Sequence, residues 1–244
     1  MTISEIPKFI INLKRRPDRL KSIIKEMDYM GWEYEIFEAV DTGNYMGCTL
    51  SHLEIFEICK SRGYDKVMII EDDTYFMPYA KDLISKVENE LDDFDYLNFG
   101  PTLNRKVNKS ENHNYLLDLK NLPPKENEQQ RGIYNTNCVI YDKKLFNEIS
   151  KISETKFQDG QFFYAIDDFI YQKVMGNFNS YCPVLPITTQ GNDYSDVSHN
   201  EYNNFYTITY NWVLYSGNKI PQQYLNLKKN LEFKDKKEHY TIEI

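Results

Sequence analysis

Three consecutive carboxylates, Glu71, Asp72 and Asp73, follow the apolar run Val67-Met68-Ile69-Ile70. Adjacent carboxylates repel one another unless a cation or hydrogen-bond donors stand between them. Oxygen ligands of this kind suit a hard divalent ion, Mn²⁺ or Mg²⁺, which keeps open positions for phosphate oxygens. A solvated acidic turn is the plain alternative. A second cluster, Lys14, Arg15, Arg16 and Arg19, stands just after the apolar run KFIINL at 8–13. Arginine forks match phosphate oxygens in pairs, and a helix start attracts anions. An ordinary charged helix start is the other reading.

These clusters need elements to hold them. KFIINL is short and apolar, as suits a strand buried on both faces. Leu20, Ile23, Ile24 and Met27 recur at helical spacing, and Gly31 can end that helix. Residues 34–40 read as a second strand. Ser51 and Glu54 stand at capping-box spacing, which predicts a helix over 51–63. Residues 66–70 predict a third strand, with the carboxylates at its carboxyl end, where open α/β sheets bind ligands. A helix over 80–91 and strands at 96–100 and 137–141 follow, then helices at 143–151 and 167–175. Residues 102–131 read as a long loop, and the β-branched and aromatic run at 205–215 as a strand. Alternating strands and helices predict an α/β layer architecture with a largely parallel sheet.

The bulk composition narrows the function. The chain has 244 residues, 41% of them hydrophobic, enough for a real core. No Gly/Ser- or Pro-rich linker divides it, so residues 1–227 are expected to form one domain, with 228–244 a charged extension. A net charge of −8 excludes general nucleic-acid binding. The four cysteines, at 48, 59, 138 and 182, form no CxxC pair and read as free thiols. No stretch approaches the ~18 uninterrupted apolar residues of a membrane span, and no signal-peptide pattern opens the chain. A soluble, cytoplasmic protein without a transmembrane segment is expected.

INLKRRPDR near the N-terminus, GCTLSH at 47–52 and VMIIEDD at 67–73 occur in one order and at fitting separations. Together they resemble glycosyltransferase family 25, which includes bacterial lipooligosaccharide galactosyltransferases and the collagen galactosyltransferases. NCVIYDKKLFNEI, AIDDFI at 165–170 and TTQGNDYSDV at 188–197 extend the likeness, with Val197 where the family has Ile. The resemblance covers roughly 7–197 and does not reach convincingly over 102–131 or the last forty-odd residues.

The resemblance implies a GT-A type, Rossmann-like α/β sandwich. It implies transfer of a sugar, commonly galactose, from a UDP-sugar to a glycan or hydroxylated protein acceptor with inversion, using Mn²⁺ or Mg²⁺. It implies that Asp73 contacts the metal and that Glu71 or Asp72 holds the donor ribose or ligates through water. His199 is a third metal candidate. Asn12, Leu13, Arg15, Arg16 and Arg19 are expected to line or brace the nucleotide pocket. Ser51 and His52 suit a uridine or phosphate contact, though capping or packing fits His52 equally. Gln190, Ser195 and Asp196 are candidates for sugar hydroxyls, or form a plain surface turn. The acceptor hydroxyl needs a base, and Asp167 and Asp168 are the candidates, Asp167 preferred. Helix capping is their other reading. Tyr75, Phe76, Tyr194 and Trp212 are plausible sugar-stacking platforms. A catalytically inactive binding relative, a UDP-glucose-dependent enzyme and a metal-dependent phosphohydrolase stand as alternatives.

Overall fold

The computed structural model describes residues 2–91, 93–122, 132–155, 164–191, 212 and 214–218. In chain order the elements are β1 (Lys8–Asn12), α1 (Pro17–Met30), β2 (Glu35–Glu38), α2 (Tyr45–Arg62), β3 (Lys66–Glu71), β4 (Thr74–Phe76), α3 (Ala80–Glu88) and β5 (Tyr96–Asn98). Next come β6 (Thr102–Leu103), β7 (Asn108–Lys109), β8 (Leu116–Asp118), β9 (Ile133–Tyr134), β10 (Cys138–Asp142) and α4 (Lys143–Ser150). α5 (Ile166–Phe169), which runs on as a π-helical turn over Ile170–Val174, β11 (Ser180–Pro183) and β12 (Thr188–Gln190) complete the described strands and α-helices.

The central sheet has eight strands in the order β2-β1-β3-β10-β5-β11-β8-β7. Only β10 and β8 run against the other six, so the sheet is mostly parallel, as expected of a Rossmann-like α/β sandwich. The chain moves one way from β1 to β2 and the other way from β2 to β3. Right-handed crossovers therefore put α1 and α2 on opposite faces. The sheet reverses its strand order between β1 and β3, and a crevice opens there beyond their carboxyl ends.

β1 is buried throughout, its polar ends Lys8 and Asn12 included, and Val67–Ile70 of β3 are fully buried, so the centres of both strands read as apolar runs. α1 starts at Pro17, whose missing N–H costs nothing in a first turn, and stops at Gly31, at φ 72°. α2 starts six residues before the expected position. Asn44 is its cap, its side chain accepting from Met46 N, and the turn before it carries Gly43 at φ 70°. Ser51 thus lies inside the helix. The Phe56 and Phe146 rings stack at 5.1 Å and join α2 to α4.

The expected loop over 102–131 contains three short strands, β6, β7 and β8, and 123–131 lie outside the described residues. The expected strand over 205–215 is corrected where it is described: Trp212 and Leu214–Ser216 are helical. Trp212 is buried and donates to Val184 O at 2.9 Å, so packing overrides β propensity here. The cysteines are free, as expected.

Candidate active site

The crevice at the β1–β3 switch is a cleft of about 530 Å³. Leu13, Arg15 and Arg19 enter it from the β1 side, and Glu71, Asp72 and Asp73 from the end of β3. The turn from Ala39 to Tyr45 forms one wall. Thr102, Asn104, Tyr134, Asn135, Thr136, Asp167 and Gln190 also line the cleft.

The acidic strand end is not a solvated turn. Asp72 is buried, accepting from Asn12 Nδ2 at 2.7 Å and from Arg19 Nη1 at 3.2 Å. Burial raises its pKa, and the Arg19 charge opposes that rise. Arg19 Nη1 also reaches Asp73 Oδ2 at 3.4 Å. Glu71 accepts from the Thr136 hydroxyl at 2.9 Å, and burial, with Asp73 beside it, pushes its pKa up to about 8. The backbone is held as firmly. Asn137 O accepts from Glu71 N at 2.8 Å and from the Thr74 hydroxyl at 2.7 Å. Strand β12 pairs with β4, so Gly191 N donates to Asp73 O at 2.8 Å and Gln190 lies opposite Thr74.

The basic cluster is divided. Arg15 lines the cleft and forks onto Asp41, at 2.9 and 3.3 Å. Arg16 pairs with Asp18 at 2.8 Å and Lys14 with Glu38 at 3.5 Å, both away from the cleft lining. Asn12 acts from behind, through Asp72.

Ser51 and His52 face inward. The Ser51 hydroxyl donates to Gly47 O at 2.7 Å and accepts from Val40 N at 2.9 Å, tying the Ala39–Tyr45 turn to α2. His52 is fully buried, its Nδ1 3.0 Å from Cys48 O, with the rings of Phe56 and Tyr141 edge-on. Burial pushes its pKa down to about 4, so the imidazole is neutral. Of its two sequence readings, the packing role is the one the geometry has.

Asp167 and Asp168 part company as adjacent helical residues must. Asp167 lines the cleft, and burial raises its pKa. Asp168 turns away and meets Gln172 Nε2 at 3.3 Å. Ser195, Asp196, His199 and Tyr194 lie outside the described residues. Phe76 and Trp212 are buried in the core, and the aromatics lining the cleft are Tyr45 and Tyr134. Sequence reasoning passed over Tyr45, Cys48, Tyr134, Asn135 and Thr136. The Thr42-Gly43-Asn44 turn signal ahead of α2 was available for the first of these.

Among the described residues no group of three His, Cys, Asp or Glu side chains is arranged to hold a metal ion. The chemistry of the cleft still fits a hard cation. Glu71 and Asp73 both line the cleft, and burial makes a charge on Glu71 costly without a cation close by.

Residues 42–156, which carry the acidic strand end and much of the cleft lining, match the model of glycosyltransferase family 25 (LPS biosynthesis protein). Over that stretch the chain is similar to glycosyltransferase family 25. A glycosyltransferase 25 family member of Drosophila melanogaster is 29% identical over 146 residues, covering 47% of this chain and 23% of that protein. One of Aedes aegypti is 28% identical over 132 residues, covering 41% and 21%. Mouse procollagen galactosyltransferase 2 is 27% identical over 113 residues, covering 34% and 18%. The matched part spans less than a quarter of each of these three proteins. Among solved structures, a glycosyltransferase involved in glycosylation of the major capsid of PBCV-1 aligns with a TM-score of 0.44 at 12% identity, over 72% of this chain and 80% of that one. The inositol-1-phosphate CTP transferase of T. maritima aligns at 0.41 and 12%, over 87% and 98%. The family 25 model covers Glu71–Asp73 and Asn135, and stops short of Asp167. No helix among the described residues is long and apolar enough to cross a membrane.

Proposed function

We propose that the cleft is the active site of a glycosyltransferase that moves a hexose, galactose, from a UDP-sugar to a hydroxyl of a glycan or protein acceptor with inversion. One observation carries this reading: Asp167, distant in sequence from the acidic strand end, lines the same cleft as Glu71–Asp73. A donor anchored at the strand end then has a buried carboxylate within the same space, available to the acceptor.

Each residue has a task. Arg15, at the rim, faces the diphosphate, exchanging part of its fork with Asp41 for phosphate oxygens. Arg19 supplies the positive charge beside Asp72 and Asp73. Glu71 and Asp73 would hold a divalent ion, which when bound supplies Lewis-acid stabilisation of charge on the leaving diphosphate. Asp167 takes the proton from the attacking hydroxyl, and its burial, by raising its proton affinity, suits it to that work. Thr102 and Asn104 bring uncharged hydroxyl and amide groups to the cleft and are assigned to the acceptor, while the Thr136 hydroxyl serves Glu71.

The test is UDP release from UDP-galactose, UDP-glucose and their N-acetyl counterparts with Mn²⁺, with and without glycan acceptors and a hydroxylysine peptide. Acceptor-stimulated release from UDP-galactose supports the proposal. Preference for UDP-glucose overturns the sugar assignment, and failure to bind UDP by calorimetry overturns the enzyme.

A further inference from the structure

Among the described residues, Asn135 is the one non-glycine with a positive φ, at 80°. Backbone angles of this kind persist where the surroundings over-determine them, and they gather at working sites. Asn135 meets both conditions. It lines the cleft, and all four of its polar groups are engaged. Its side chain donates to Gly100 O at 3.2 Å and accepts from Asn137 N at 3.1 Å. Its carbonyl accepts from Asn98 Nδ2 at 2.7 Å. Its amide donates to Asp167 Oδ2 at 3.2 Å.

The Asp167 carboxylate therefore carries one backbone donor on each oxygen. The Asp168 amide, at 2.9 Å from Oδ1, is local and travels with α5. The Asn135 amide comes from the β9–β10 turn, which continues into the central sheet. This second bond ties the Asp167 carboxylate toward the acidic strand end, because β10 pairs directly with β3.

We propose that Asn135 is a positioning residue for Asp167, its left-handed backbone aiming the amide that orients the carboxylate toward the acceptor. Asn tolerates this conformation better than most residues, and glycine adopts it freely. The angle, rather than the side chain's chemistry, is then what the site requires.

This inference rests on the proposed role of Asp167, and the experiment separates the two. Turnover of UDP-galactose with Mn²⁺ and lactose as the acceptor probe is measured for Asn135→Ala, Asn135→Gly, Asp167→Asn and the Asn135→Ala/Asp167→Asn double variant, with UDP affinity by calorimetry. Asn135→Ala is expected to lower kcat about tenfold with UDP affinity within about twofold, while Asn135→Gly recovers most of the rate. In the Asp167→Asn background, Asn135→Ala is expected to have no further effect. Equal losses for Ala and Gly, or additive losses in the double variant, overturn the inference. Normal turnover by Asn135→Ala beside a slow Asp167→Asn overturns it while leaving the base intact. Normal turnover by Asp167→Asn removes the base and this inference together. A substrate-free arm uses the Asn135 amide proton resonance, expected to move upfield in Asp167→Asn; an unmoved resonance also overturns the coupling.

Discussion

One nitrogen of Arg19, Nη1, lies 3.2 Å from Asp72 Oδ1 and 3.4 Å from Asp73 Oδ2. The three side chains are only 11%, 8% and 16% exposed, so this cation is the local counter-charge of the strand end. Removing one partner of a buried charge group leaves the others uncompensated and typically costs about 3–5 kcal/mol. Arg19→Met is expected to destabilise the fold by about 3 kcal/mol in urea unfolding. If Glu71 and Asp73 hold a cation, Mn²⁺ will raise the melting temperature of Arg19→Met more than that of the wild type. Equal shifts would argue that the ion binds elsewhere.

Asp167→Asn is expected to lower turnover of UDP-galactose by about 10²–10⁴-fold, the usual contribution of a positioned base, with UDP affinity retained. Asp168→Asn, outside the cleft lining, is expected to stay within about threefold of the wild type. Initial rates with UDP calorimetry on both variants decide it. A reversed order would exchange the two roles.

His52 gives the fold an acid-sensitive point. Its pKa is about 4 in the fold against an ordinary 6.5, because the charged ring would be buried between Phe56 and Tyr141. Between those values the unfolded chain binds the proton and the folded chain does not. This contribution to stability is present above 6.5 and is lost as the pH falls toward 4. His52→Phe keeps the ring and removes the titration. Its melting temperature should fall less than that of the wild type between about pH 7 and about pH 4.5.

Gly47 has no room for a side chain: a Cβ there would lie 2.3 Å from Val40 O. Gly47→Ala must push the Ala39–Tyr45 wall off α2, at a cost of about 1–3 kcal/mol. Weaker UDP binding by calorimetry should accompany the loss. A variant with unchanged stability and affinity would show that this wall is pliant and remote from the nucleotide.

The sequence by itself determined the layers. Apolar runs and helical spacing located β1, α1, β3, α3, β10 and α4, because a buried strand or an amphipathic helix writes its burial locally, at fixed intervals along the chain. It also located the acidic strand end, since charge after a buried strand is a local contrast. Local signals misled where two candidates competed. Ser51 and Glu54 mimic a helix cap, but Asn44 holds the real one, and Ser51 instead pins the cleft wall from within the helix. The tertiary structure alone decided that Arg19 serves Asp72 and Asp73, that His52 faces the core, and that Asn135 grips Asp167. Those pairs lie far apart in the chain or turn on which face a helix buries. Only the packing of the sheet and its helices brings them within hydrogen-bonding distance, and periodicity carries no record of such meetings.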